Sequence, residues 1–394
     1  MRVNIINLPF KIGQSVLAFG SQTKNTVCFA KGSNAYISRI HQDLSEPNDF
    51  AGFERDSRDF LKKKPRMIAY DPHPEYSSSS FALRLPSFPE KAFPVYHHHA
   101  HIGACMAENG IKNQKVIGVA FDGTGLGPGN AVWGGEFLIC DYLGFKRLAH
   151  LRELPLAGAE KAILEPWRLS AFWLYRVYGN GFSKLKISWL RKLDVNKWRL
   201  IKDAAQKGVN SPMASSAGRL FDAAASLILG KMRAEYEAQL PRELERLALR
   251  WTRDDGRETI SVYNFKIRKD AEKYVIDPAG AFKGIINDLK AKRPKEEIAY
   301  KFHLSLAKAI EKMCVILSKR KKIKTVVLSG GVFQNKLLLE MSEYLLKRAD
   351  LEVFSHNKLS AGDASLSLGQ AVIAGFTPAS ILARCEVNKK LVRG

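Results

Sequence analysis

The chain is 394 residues long, 46% hydrophobic and 26% charged, with 62 Lys and Arg against 39 Asp and Glu and a formal net charge of +23. That length exceeds one ordinary core and suits two or three lobes of about 100–200 residues each, and the apolar fraction excludes wholesale disorder. Apolar runs fall short of the roughly 18 residues of a membrane span, and Asn4, Asn7, Lys11 and Gln14 interrupt the apolar start, so neither a membrane segment nor a signal peptide is expected and the chain is expected in the cytoplasm.

In chain order, the first pattern is strand–turn–strand: SVLAFG (15–20), the polar turn SQTKNT, then VCFAKG. Residues 50–62 read as a helix, RMIAYD as a strand, and 98–108 as a second helix. A polar stretch, 109–115, precedes a second strand–turn–strand unit, KVIGVAFDG (115–123), a glycine-rich turn and AVWGGEFLICDY. The region from about 165 to 250 is expected to be mostly helical, and apolar residues at 298, 302, 306, 310 and 313 mark another helix. TVVLSGG then gives a strand and glycine turn, 334–347 a helix, LEVFSH a strand, and a last helix starts at Asp363. Interleaved strands and helices define an α/β class. Two glycine-bearing hairpins about 100 residues apart suggest a duplicated architecture with a nucleotide held between the halves.

Charge and cysteines constrain function less sharply. The positives are scattered, and the dense run SKRKKIK reads as a solvated helix end, with a polyanion-facing patch as the alternative. Cys28, Cys105, Cys140, Cys314 and Cys385 form no CxxC pair, which excludes a zinc finger or a thioredoxin-type centre.

The sharpest chemical signal is Tyr96-His97-His98-His99-Ala100-His101. In the first turn of a helix, His97 and His101 share one face at i,i+4, the spacing that lets two imidazoles reach one metal. Asp122, at a strand tip opening DGTG, and Asp363, at a helix start, are the carboxylates that could complete the site. A turn-forming role for Asp122 and an N-cap role for Asp363 are the plainer alternatives. Two His and two Asp would suit Fe(II), Zn or Mn. The turns DGTG, WGGE and SGGVFQN allow close backbone approach to a phosphate, yet none is a P-loop and no GxGxxG unit is present.

Taken in order, AYDPHPEYSSS, VYHHHAHIGACMAENG, VIGVAFDGTG, WGGEFL, AHLRELPLAGAEKAILEPWR, SSAGRLFDAAA, SGGVFQN and SLGQA resemble the carboxy-terminal module of the HypF family, from about Leu17 to Ala374. HypF is the carbamoyltransferase of NiFe-hydrogenase maturation. The module is also similar to the TsaD enzymes of tRNA threonylcarbamoylation and to antibiotic O-carbamoyltransferases. The resemblance implies an actin-like, two-lobed ASKHA fold with an interlobe nucleotide cleft. The expected lobes are 1–114, ending in the HHHAH helix, and 115–394, carrying the helical insertion.

At matching positions the resemblance implies His97, His101, Asp122 and Asp363 as ligands of a divalent metal, Fe or Zn, with His97, His101 and Asp122 catalytic. Gly123, Thr124, Gly125, Gly134, Gly135 and Glu136 would line the nucleotide side, Gly218 and Asp222 would meet the ribose, and Gly330, Gly331 and Asn335 the phosphate and adenine. The implied reaction moves a carbamoyl group from carbamoyl-adenylate to the terminal cysteine of a HypE-like protein. The acylphosphatase, CxxC zinc and YrdC-like domains that precede this module in HypF are not in the sequence, so a YrdC-like partner is expected to supply the adenylate in trans. Three rival expectations stand beside this one: a tRNA-modifying transferase, a small-molecule O-carbamoyltransferase, and an inactive nucleotide-binding scaffold.

Overall fold

Two main sheets organise the computed structural model, which describes residues 3–86, 92–251 and 261–377. The smaller has the order Cys28–Ile37, Asn4–Ala18, Met67–Tyr70 and Ala92–Pro94. Its first two strands pair antiparallel, with Val16 opposite Ala30, and the remaining pairs are parallel. The leading strand starts well before the expected SVLAFG. Ile6, Leu8 and Ile12 are its early buried positions, and register shifts between Asn7 and Ile12 and between Ile12 and Val16 break the two-residue period that would have revealed it.

The larger sheet runs Lys266–Asp270, Lys273–Asp277, Gly144–Leu151, Ala131–Asp141, Val116–Gly127, Thr325–Ser329 and Glu352–Phe354. Its central strands are buried runs: Val116 to Asp122 and Thr325 to Ser329 have no exposed position. Such strands need cover on both faces, and parallel pairing of Val116–Gly127 with Thr325–Ser329 fits that demand. One face is covered by the 27-residue helix Lys295–Lys321 and by the helical segment Lys161–Leu249, which includes the helices Trp167–Tyr178, Val195–Gln206, Ala217–Leu229 and Gln239–Leu249. Trp173 stacks on Phe282 there, with ring centroids 5.0 Å apart.

The helix His97–Glu108 is buried at every residue and packs into a core drawn from both sheets. Buried on every side, it carries four histidines and Glu108 into the interior, where each polar group needs a partner. The last helix, Leu366–Phe376, follows the second sheet in sequence but packs on His97–Glu108 and on Asn4–Ala18. Its apolar residues Leu368, Val372 and Ile373 complete the core beside the smaller sheet. Cys28, Cys105, Cys140 and Cys314 are buried free thiols, and Cys385 lies outside the described residues. Among the described residues, no helix is long and apolar enough to cross a membrane.

Candidate metal centre and glycine cleft

The helix His97–Glu108 begins directly after Tyr96, whose backbone is extended, so the histidine run occupies its first turns. His97 and His101 lie on one face with ring centroids 4.9 Å apart. His99 turns away and its Nε2 meets the carbonyl of Asp141 at 2.7 Å; His98 lies 5.9 Å from the Trp133 ring.

Asp122 reaches these histidines because its strand is irregular. Phe121 pairs with Gly135 and Gly125 with Trp133, so Asp122, Gly123 and Thr124 together oppose Gly134 alone. A bulge of this kind re-aims a side chain. Asp122 Oδ1 accepts from the N–H of Gly123 at 2.8 Å and of Gly331 at 3.2 Å. Its Oδ2 faces His97 Nε2 at 3.2 Å and His101 Nε2 at 2.9 Å.

Asp363 arrives from the other direction, at the start of a short turn before the last helix. Its Oδ1 lies 3.7 Å from both Nε2 atoms. Two contacts hold its loop. Glu108, at the far end of the histidine helix, accepts from the N–H of Asn357 at 2.8 Å and of Leu359 at 3.1 Å, and Thr26 donates to the Ala364 carbonyl at 2.9 Å. One ligand atom from each of His97, His101, Asp122 and Asp363 falls within 4.8 Å of all the others.

The carboxylates favour positive charge at the imidazoles. Burial opposes a charge on His97, but hydrogen bonds to Asp122 and Asp71 outweigh it and hold the imidazole well above its ordinary pKa. Burial likewise opposes ionisation of Asp122, and its contacts with His101 and His97 still hold it well below the usual carboxylate range. Asp363 is pushed up, chiefly by burial, with the Asp122 charge adding to it. Two facing carboxylates beside two imidazoles form a mixed nitrogen and oxygen donor set suited to Fe(II), Zn or Mn.

Asp71 completes the arrangement. It is fully buried, and its Oδ2 lies 2.9 Å from His97 Nδ1. A carboxylate on the far nitrogen fixes the tautomer that leaves Nε2 for a metal. Sequence reasoning assigned Asp71 no role, although it stands in the motif AYDPHPEY.

The glycines crowd around Asp122. Gly330 has φ +103, and a Cβ there would strike the Phe121 carbonyl. Gly134 and Gly218 leave space for the backbone of Asp122 and Gly123, and Gly125 packs against His97. Thr124 lies half-buried in the bulge, and Gly135 lies under the Ser215 carbonyl.

Three of the residues expected along the nucleotide site are buried or have partners within the protein. Glu136 is fully buried and accepts from Ser215 Oγ and Arg147 Nε, each at 2.5 Å. Those bonds satisfy a buried carboxyl and brace the strand internally. Asn335 caps the helix Lys336–Arg348 by accepting from Leu338 N at 2.9 Å, while its amide nitrogen lies 2.9 Å from His303 Nε2. Asp222 sits inside the helix Ala217–Leu229, 1% exposed, where burial pushes its carboxyl up to about 6.

Two sheets meeting at a buried two-histidine, two-carboxylate cluster ringed by glycine turns make an α/β domain of the Kae1-like class. A HypF Kae1-like domain matches residues 11–108, and the second subdomain of a Kae1-like carbamoyltransferase domain matches residues 118–370. The chain belongs to the HypF carbamoyltransferase family. It is 34% identical over 372 residues to carbamoyltransferase HypF of Rhodobacter capsulatus, covering 93% of this chain and 47% of that protein. A carbamoyltransferase HypF homolog of Cupriavidus necator is 33% identical over 380 residues, with 93% of each chain covered. The chain thus spans about half the length of the first relative and nearly all of the second. Among solved structures, a full-length HypF in a phosphate- and nucleotide-bound form superposes with a TM-score of 0.85 at 35% identity, covering 94% of this chain and 57% of that one. HypF of T. kodakarensis superposes with a TM-score of 0.79 at 29% identity, covering 94% and 48%.

Proposed function

We propose that this chain transfers a carbamoyl group from carbamoyl-adenylate to an acceptor in NiFe-hydrogenase maturation, with the acceptor the terminal cysteine of a HypE-like protein. The observation that carries this reading is the convergence of His97, His101, Asp122 and Asp363 beside the turns at Gly123 and Gly331. A nucleotide in the adjoining cleft is supported by the phosphate- and nucleotide-bound HypF to which the fold is similar. The adenylate would come from a YrdC-like protein acting on carbamoyl phosphate and ATP.

His97, His101, Asp122 and Asp363 would hold Fe(II) or Zn(II), which would polarise the carbamoyl carbonyl and offset charge on the phosphate oxygens. The chain's own residues prepare that place. Asp71 accepts from His97 Nδ1 and so presents Nε2 to the site. The N–H groups of Gly123 and Gly331 hold Asp122 by Oδ1, leaving Oδ2 toward the imidazoles. In the transfer, the acceptor thiolate attacks the carbamoyl carbon, the carbon–oxygen bond to the phosphate breaks, and AMP leaves with the electron pair.

Metal analysis joined to AMP release tests this. The wild-type chain is expected to take up roughly one Fe(II) or Zn(II), the load of a single closed ligand set. It should also release AMP from carbamoyl-adenylate only when a HypE-like acceptor is present. The double variant His97→Ala, His101→Ala should do neither. Full metal loading of that variant would sink the site, and acceptor-independent AMP release would sink the transfer.

A further inference from the structure

A buried cation near the glycine turn has no part in the reading above. Arg219 stands in the first turn of the helix Ala217–Leu229, whose N-cap is Ser216, and is 5% exposed. Its Nη1 is buried and makes no hydrogen bond. Nε meets Asp222 as an ion pair at 3.1 Å, and Nη2 donates to Glu237 Oε1 at 3.0 Å.

Glu237 differs in kind from the other partners. Its side chain is 58% exposed, and it hangs from the segment joining Gly230 to the helix Gln239–Leu249. Even so, its carboxylate lies on the glycine turn: Oε1 is 3.1 Å from the point a Cβ on Gly123 would occupy, and Arg219 Nη2 is 3.4 Å from that point. Gly123 directly follows Asp122, and the Ser216 hydroxyl donates to the Gly123 carbonyl. A guanidinium with a free donor, a helix N-terminus and an exposed carboxylate therefore converge one residue from the proposed metal ligand.

We infer that Arg219 is a phosphate-binding cation of the cleft and that Glu237 occupies its anion position as an internal competitor that withdraws when a nucleotide phosphate arrives. The inference rests on the nucleotide reading proposed above. Guanidinium takes a phosphate through paired donors, and here Nη1 is free while Nη2 is held by a partner that solvent already reaches. The helix N-terminus adds orphan N–H groups, and the glycine lets an anion come close. An exposed glutamate is cheap to displace, because ion pairs at such sites contribute little. Its presence lowers the apparent affinity by the fraction of molecules in which it covers the arginine.

Titration of AMP and of adenosine into the full chain, followed by calorimetry, separates the outcomes. Glu237→Gln is expected to tighten AMP by about two- to five-fold, the range of an exposed ion pair, and to leave adenosine unchanged. Arg219→Gln is expected to weaken AMP by roughly ten- to a hundred-fold and again to spare adenosine. In the Arg219→Gln background, Glu237→Gln should have no further effect. Equal weakening of both ligands in Arg219→Gln would overturn the phosphate role, since a structural defect does not distinguish them. Should that variant fail to fold, Glu237→Gln and Glu237→Lys decide alone, and unchanged AMP affinity in both overturns the competitor. A wild-type chain that binds neither AMP nor adenosine overturns the nucleotide reading and this inference with it.

Discussion

Asp222 is a carboxyl held where ionisation is costly. It is 1% exposed, and burial raises its pKa from 3.8 to about 6 despite the Arg219 charge at 3.1 Å. A carboxyl whose folded pKa lies above its unfolded value favours folding only while protonated. Stability from this group is therefore full below about pH 4, falls as pH rises through 6, and is at its lowest at neutral pH. The penalty is on the order of 3 kcal/mol at pH 7.5, from a shift of about two units. Asp222→Asn keeps the shape and an oxygen toward Arg219 while removing the buried charge. Its thermal midpoint should exceed that of wild type by several degrees at pH 7.5, with the gain shrinking steadily toward pH 4. A gain that is the same at both pH values would show that ionisation is not the cause. A residue that costs stability at working pH and sits beside the proposed phosphate site is where function and stability are expected to compete.

At the scale of elements, the centre depends on how two helices cross. Ala100, between the two ligand histidines, places its carbonyl over Gly369 of the last helix, so that a Cβ on Gly369 would strike backbone. A Cβ on Gly103 would press on the flexible Ile373 side chain, at 2.9 Å, with the nearest backbone atom at an ordinary 3.6 Å. Gly369→Ala must push the helices apart and should destabilise by about 1–3 kcal/mol or more, whereas Gly103→Ala can be absorbed by a rotamer change and should cost less. Thermal denaturation of the two variants checks the order, and equal losses would contradict it. This crossing also shows what the sequence could and could not reveal. His97 and His101 are readable because the helical period puts them on one face, and Asp122 because an apolar run stops at Asp-Gly. Asp71 is not, since its approach to His97 follows from parallel pairing of Met67–Tyr70 with Ala92–Pro94, which no local pattern encodes. The partners of Glu136 are long-range for a related reason. It lies within the strand Ala131–Asp141, as the run AVWGGEFLICDY suggests, but its burial against Arg147 is set by the neighbouring strand. Asn335 stands at a helix start in the sequence, and the structure adds that its side chain caps that helix. The return of the last helix to the smaller sheet is a long-range packing choice, invisible in its own periodicity.

For the whole molecule, that return has a thermodynamic consequence. Val16 and Ala18 of the smaller sheet, Leu138 and Val327 of the larger one, Ile102 and Cys105 of the histidine helix, and Leu368 and Val372 of the last helix all belong to one continuous core. Neither sheet can unfold without exposing part of the surface that the other buries, and elements joined by shared apolar burial open as a unit. The chain provides its own reporters for this. Its six tryptophans all fall between Trp133 and Trp251, and all but Trp133 lie outside the shared core, so their fluorescence follows mainly the larger-sheet half. Hydrogen exchange at Val16–Ala18 follows the smaller sheet. With urea as denaturant, the two probes should give coincident midpoints, the signature of one cooperative transition. A divalent metal that binds only the folded chain should then raise both midpoints together, by an amount equivalent to about 2.7 kcal/mol at a hundredfold excess over its Kd. Separate midpoints, or a metal effect confined to one probe, would mean that the halves fold independently and that the four ligands meet only after both have formed.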